Sequence, residues 1–144
     1  MSNLFTEPEL TELAAAVETQ LRDVREREAI AVQKSGEPPS TDVILAKQNE
    51  TITTLTKEPP KHFLVRFGQA AKADLCEDSG LLHKQWQKWG DLDNKDAVER
   101  LGAVLLTMGF SGGVVRSLVV ATVVIVVHIG IKAFCEDYGQ ASTK

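Results

Sequence analysis

The stretch that most limits what this chain can fold into lies near its carboxyl end. Residues 117 to 131 read SLVVATVVIVVHIGI, with six valines, three isoleucines, one leucine and no Asp, Glu, Lys or Arg. A helix that is apolar on every side needs hydrocarbon or a complete cover of protein around it. The stretch is therefore a bilayer span, the central helix of a bundle, or a buried β-strand.

Length and valine content favour the span. A helix needs about 20 apolar residues to cross a bilayer, and residues 114 to 135 supply that length if Arg116 and Lys132 extend toward opposite interfaces. Valine is a weak helix former in water, where core helices usually rely on Leu and Ala. A strand of this length is unusual. We expect a C-terminal transmembrane anchor, with a buried core helix as the alternative.

In such an anchor, six residues are expected to contact lipid. Within about twenty residues of the span, basic residues are slightly more frequent before it than after it, which predicts a cytoplasmic N-terminal region. No secretory signal precedes the first helix, in agreement with that orientation. The expected anchor residues are Leu118, Val120, Val123, Val124, Val127 and Ile131.

A second arrangement remains open because residues 101 to 115 also lack charge. They allow a shorter apolar helix, joined to the valine-rich stretch by a turn at Ser111-Gly112-Gly113. Gly109 and Gly113 form a GxxxG spacing, but the turn is the preferred interpretation. A protein that inserts into membranes or forms pores would hide a hairpin of this kind in its core.

The remaining chain reads as amphipathic helices, so the predicted fold class is mainly α. Thr6 and Glu9 form a capping box before a helix with an apolar stripe. Proline pairs punctuate the chain at residues 38–39 and 59–60. The predicted organisation is an N-terminal amphipathic helix (1–36), a Pro-bounded connecting segment (37–60), a helical region (61–110), the anchor (111–135) and a tail (136–144).

Two of the apolar stripes are candidate interfaces for a protein partner or for a second copy of the chain. One belongs to the first helix, and the other to the tryptophan-containing segment 81–89, whose mixture of Trp and Lys also fits a lipid headgroup layer. The expected interface residues are Leu10, Val17, Leu21, Val24, Leu82, Trp86 and Trp89.

Chemistry-bearing residues are sparse. Sixteen basic against 20 acidic residues do not make the basic surface that nucleic acid requires. His128 lies in the apolar stretch and is a remote candidate for holding a cofactor, but no His pair at metal-ligand spacing accompanies it. Cys76 and Cys135 are expected to be two free thiols in a reducing compartment. We expect no catalytic residues, no metal and no cofactor.

These observations predict a small membrane-anchored assembly protein that is not an enzyme, a subunit or scaffold with lipid and protein partners. The alternative is a water-soluble helical bundle with a hidden apolar hairpin, acting as an adaptor or as a membrane-permeabilising effector. A cofactor-binding membrane subunit that uses His128 is a more remote alternative.

Overall fold

The structure, a computed structural model, describes residues 5–37, 39–89 and 93–139, and this part of the chain contains helices and turns but no strand. The predicted mainly α class is confirmed. The helices are α1 (Glu7–Ser35), α2 (Thr41–Ile44), α3 (Ala46–Thr56), α4 (Pro60–Ala70), α5 (Lys72–Leu75), α6 (Leu81–Trp89), α7 (Asn94–Thr107), α8 (Gly112–Ile129) and α9 (Ile131–Phe134), followed by a π-helical turn at Cys135–Gly139.

The first helix begins as its capping box predicts. The Thr6 backbone N–H donates to Glu9 Oε1 (2.9 Å), and the Glu9 N–H donates to Thr6 Oγ1 (3.3 Å). Gly36 ends the helix in the left-handed conformation, as is common at helix C-termini. The buried residues of α1 stop at Val24, so its last three turns carry only half-buried and exposed side chains.

The middle of the chain is more segmented than its apolar periodicity indicates. Residues 41 to 56, in the predicted connecting segment, are helical, but the helix is interrupted at Leu45. The predicted helical region 61–110 is also divided, first at Ala71, which leaves the regular helical conformation between α4 and α5. These breaks let short helices wrap around a longer one.

That longer helix is α8, which lies at the centre. Residues 108 to 111 connect it to α7, and it packs along α7, α1 and α3. The turn lies slightly earlier than the predicted Ser111-Gly112-Gly113, because Gly112 and Gly113 form the first residues of α8. Gly109 lies in the turn, so the GxxxG spacing does not form a continuous helical surface.

Candidate functional site

The most distinctive feature of the fold is how completely α8 is covered. Nine consecutive residues, 118 to 126, are all buried, so no side of the helix faces solvent over two and a half turns. In the described part of the chain, α8 is the one helix long and apolar enough to cross a membrane. The core helix of a bundle meets the same criterion, and at about 1.5 Å per residue the 18 residues of α8 span roughly 27 Å.

Most of the residues expected to contact lipid are instead covered by other helices. Four of them lie in the buried stretch of α8, Val127 is half-buried, and Ile131 is buried in α9. The buried positions among them are Leu118, Val120, Val123, Val124 and Ile131. The four that lie on α8 are in the helix that packs along α1, α3 and α7, whereas Ile131 lies in α9, which contacts α8 and the π-helical turn.

The cover contains a buried polar contact between α1 and α3. Gln48 on α3 is 2% exposed and donates through Nε2 to Gln20 Oε1 on α1 at 2.8 Å. The Gln48 Oε1 atom has no hydrogen-bond partner among the described residues. A buried acceptor left unsatisfied costs about 1–3 kcal/mol, so this part of the cover is held less strongly than an apolar contact of the same size.

The candidate interface residues of α1 also belong to the core. Leu10, Val17, Leu21 and Val24 are buried against helices of the same chain, which leaves α1 without a free apolar stripe at these positions. In α6, Leu82 is fully buried and Trp86 is half-buried, in contact with the ring of His83. Trp89 ends α6, and its side chain lies outside what the structure describes.

His128 lies near the carboxyl end of α8 with its side chain 15% exposed. Its Nε2 is 3.9 Å from Glu28 Oε2 on α1. His62 and His83 interact elsewhere, with Glu58 and with Asp78. Within the described ranges no group of three His, Cys, Asp or Glu side chains is placed to hold a metal ion. The geometry therefore gives His128 a local contact with α1 as its role in the bundle.

The two cysteines correct the sequence-based expectation. Cys76 and Cys135 form a disulfide between residues 59 positions apart, so the prediction of two free thiols is wrong. Cys76 follows α5, whereas Cys135 opens the π-helical turn after α9. The bond joins the chain before α6 to the chain after α8. The even number of cysteines was the one available signal, but their spacing matched no known framework.

The disulfide belongs to a larger contact that we name the C-terminal clasp, residues 131–139 packed on α4 and α5. Gly130, with φ of 96°, ends α8 and redirects the chain. Phe134 is fully buried, with its ring 6.3 Å from Phe67 and 5.0 Å from Tyr138. The clasp therefore holds the carboxyl end of α8 against the bundle through the Phe134–Phe67 ring contact and a covalent bond, whereas the Phe134–Tyr138 contact lies within the clasp itself.

Tyr138 is half-buried on the clasp and lies along a cleft shared with α2, α4 and α8. Burial raises the pKa of its hydroxyl, and the negative charges of Asp137 and Asp42 raise it further. The hydroxyl accordingly stays protonated to higher pH than the hydroxyl of an exposed tyrosine.

The clasp requires a glycine at position 68. A Cβ placed there would lie 2.8 Å from Tyr138 Cβ and 2.9 Å from its carbonyl carbon, closer than side chains pack. We expect Gly68→Ala to push the clasp away from α4 and to reduce the free energy of unfolding by about 1–3 kcal/mol. Urea denaturation followed by circular dichroism measures the loss.

The matched control for that substitution is Gly113→Ala, in the first turn of α8, where a Cβ meets nothing within 4 Å. Alanine in a helix is favoured over glycine by roughly 0.5–1 kcal/mol, so this variant should be unchanged or slightly more stable. Equal stability of the two variants would show that the clasp does not approach α4 as described.

Two ion pairs tie the start of α1 to the amino-terminal ends of α7 and α8. The Arg116 guanidinium donates to Glu9, and Lys95 on α7 lies 3.5 Å from Glu7. The pKa of Glu9 is lowered, mainly because its carboxylate accepts the Thr6 backbone N–H, and also because Arg116 is near. These pairs are at the surface, where ion pairs are screened by water and contribute little to stability. The clasp is the stronger restraint on α8.

The fold and this site define a class: in the described residues, a helical bundle built around one apolar helix that is covered on every side over residues 118 to 126. The carboxyl end of that helix is held by a disulfide-linked clasp. Comparison of the chain with protein-family models, with curated proteins and with solved structures finds no match to any of them.

Proposed function

We propose that this protein is a membrane-permeabilising effector. In water, α8 is buried in the centre of the bundle, and at a membrane it leaves the bundle and inserts into the bilayer. The observation that supports the proposal is the complete cover over residues 118 to 126 of a helix that is also long and apolar enough to span. An ordinary bundle needs one apolar face on each helix, whereas α8 is apolar on all faces.

The contacts that cover α8 are compatible with its release from the bundle as well as with its burial. The α1–α3 contact over α8 includes the incompletely satisfied Gln48 amide, and the ion pairs at Arg116 and Lys95 are exposed. Polar contacts of these kinds are worth little, so they add little resistance to opening on this side. The interactions lost on opening are mainly the apolar contacts of α1 and α3 with α8. When α8 leaves the bundle, its apolar side chains lose their contacts with α1, α3 and α7. In the bilayer the same side chains are again shielded from water, by lipid hydrocarbon.

The disulfide also bears on where the protein acts. Stable disulfides persist mainly in oxidising compartments such as cell surfaces and secretory or periplasmic spaces. The covered, disulfide-bonded form therefore fits an oxidising compartment better than the cytoplasm.

A permanently anchored assembly protein is the second candidate, favoured by the composition of α8 alone. In that case α8 would occupy lipid from the time of synthesis, and the rest of the chain would be a membrane-surface domain. The protein would then require detergent for purification and would not form the covered bundle in plain buffer.

The proposal is tested with two single-cysteine variants, Cys76→Ser and Cys135→Ser, each added to vesicles of phosphatidylcholine and phosphatidylglycerol. Both lack the disulfide and keep one thiol as a reporter. After flotation of the vesicles, a maleimide attached to a polymer much larger than the encapsulated dye is added outside, so that it cannot follow the dye through a leak. We expect Cys135, which follows α8, to become protected from the reagent, while Cys76, which precedes it, stays reactive.

Detergent provides the control, because both thiols must react once the vesicles are dissolved. Encapsulated dye should leak in step with the protection of Cys135. If both variants stay out of the floating fraction, or float with both thiols still reactive from outside, the protein does not insert α8 and the proposal is wrong.

A further inference from the structure

We infer that the Cys76–Cys135 disulfide is a redox lock on insertion, so that α8 can cross a bilayer only after the bond is reduced. This inference rests on the proposed function and adds its regulation. It follows from where the bond lies in the chain: the two cysteines bracket α6, α7, α8 and α9 within one covalently closed loop.

The argument is topological. While the disulfide is intact, Cys76 and Cys135 stay on the same side of any membrane, since their Cα atoms are 5.8 Å apart. A chain that starts and ends on one side must cross the bilayer an even number of times. A single crossing by α8 would place Cys135 on the far side, and that is incompatible with the bond.

An oxidised protein would therefore need a second spanning segment within the same loop, and none of its described helices can serve. Helix α7 has 14 residues, and Lys95, Asp96, Glu99 and Arg100 lie in its first two turns. Its uncharged part from residue 101 to the turn is too short to match the hydrocarbon thickness. Helix α6 has nine residues, and Lys84 and Lys88 are among them. Among the described residues of the closed loop, α8 is the one crossing segment.

Both cysteines are half-buried, so each is partly exposed to the reagent that would open the bond. Each is next in sequence to a fully buried residue, Leu75 or Phe134. A dithiol reductant attacks one sulfur as the thiolate, forms a mixed disulfide, and is then released as its own cyclic disulfide. Two electrons and two protons pass to the protein, leaving Cys76 and Cys135 as thiols.

Reduction alone does not remove the clasp, because Phe134 and Tyr138 still pack on α4. It removes the constraint that keeps the carboxyl end of α8 on the side of Cys76. The reduced protein should therefore remain a folded monomer in buffer and should change its topology only when a bilayer is present.

The test uses the full chain with both cysteines and compares four preparations on the same phosphatidylcholine and phosphatidylglycerol vesicles. They are the oxidised protein, the reduced protein, the reduced protein with each thiol capped by a monofunctional alkylator, and the reduced protein with its two thiols bridged by a short bifunctional alkylator. The bridged form restores the closed loop without a disulfide. Circular dichroism and gel filtration in buffer show that each preparation is folded before vesicles are added.

We expect the reduced and capped forms to release encapsulated dye at least about tenfold faster than the oxidised and bridged forms, the ratio that 1.4 kcal/mol of difference in barrier represents. Equal release by capped and bridged protein would overturn the lock while leaving the proposed function in place. Absence of release from all four, with no insertion by the single-cysteine variants, would instead remove the function itself and the lock with it.

Discussion

Val123→Asp is expected to unfold the whole bundle, even though the substitution lies in the segment that most resembles a membrane anchor. Val123 is fully buried in the middle of α8. An aspartate there has no cationic partner on the buried stretch, and an uncompensated buried charge costs about 3–5 kcal/mol in addition to the lost packing. A domain has a total stability of only about 5–15 kcal/mol. Circular dichroism and urea denaturation measure the loss.

The matched control is Val43→Asp, which makes the same chemical change at a position that is 62% exposed on α2. Substitutions at such surface positions usually stay within about 0.5 kcal/mol. The Val123→Asp protein should also regain stability as pH falls, because burial raises the pKa of the new carboxyl and protonation removes its charge. A Val123→Asp protein as stable as Val43→Asp would show that α8 lies outside the core.

Removing the disulfide has the second largest expected effect. Closing a loop between residues 59 positions apart lowers the entropy of the unfolded chain by an amount worth about 4 kcal/mol at room temperature. For a chain of this size each kcal/mol corresponds to roughly 2–4 °C. We therefore expect the Cys76→Ser/Cys135→Ser double variant to melt about 8–16 °C below the oxidised protein, as followed by circular dichroism.

Reductant supplies the control for that measurement, since it should lower the melting temperature of the wild-type protein to that of the double variant and leave the double variant unchanged. A double variant that melts with the oxidised wild type would mean that the clasp closes no loop in the unfolded chain. The bond would then be absent from the folded protein, and the lock proposed above would have no basis.

The helices themselves were predictable from local signals. The Thr6 and Glu9 capping box placed the start of α1 within a residue, and the uncharged residues from Leu101 onward indicated the hairpin that α7 and α8 form. Residues such as Val17 and Leu82 were correctly identified as members of the apolar faces of their helices. All of these depend on contacts between near neighbours in the chain, which a sequence displays directly.

The environment of those stripes was not predictable in the same way. An apolar residue at position 123 is equally consistent with lipid and with a protein core, because both exclude water. The choice depends on whether α1, α3 and α7 together have enough apolar surface to cover α8, and that is a property of their packing in three dimensions. The anchor orientation and the partner interfaces remain predictions, since they require a bilayer or a second chain.

The clasp was missed for a related reason. Phe134 and Tyr138 follow the apolar stretch at spacings that fit its continuation, and only Gly130 marks a break there. The approach of Tyr138 to Gly68 and the pairing of Cys76 with Cys135 join parts of the chain far apart in sequence. A single sequence shows the residue types involved but not which distant pairs meet.

Amide hydrogen exchange of residues 118 to 126, measured on the oxidised protein in detergent-free buffer, tests the central claim most directly. If α8 is the covered centre of the bundle, these amides should be among the slowest in the protein, exchanging only through global unfolding of a monodisperse monomer. Rapid exchange of this stretch while α1 and α7 remain protected, or a protein that stays in solution only with detergent, would contradict the account.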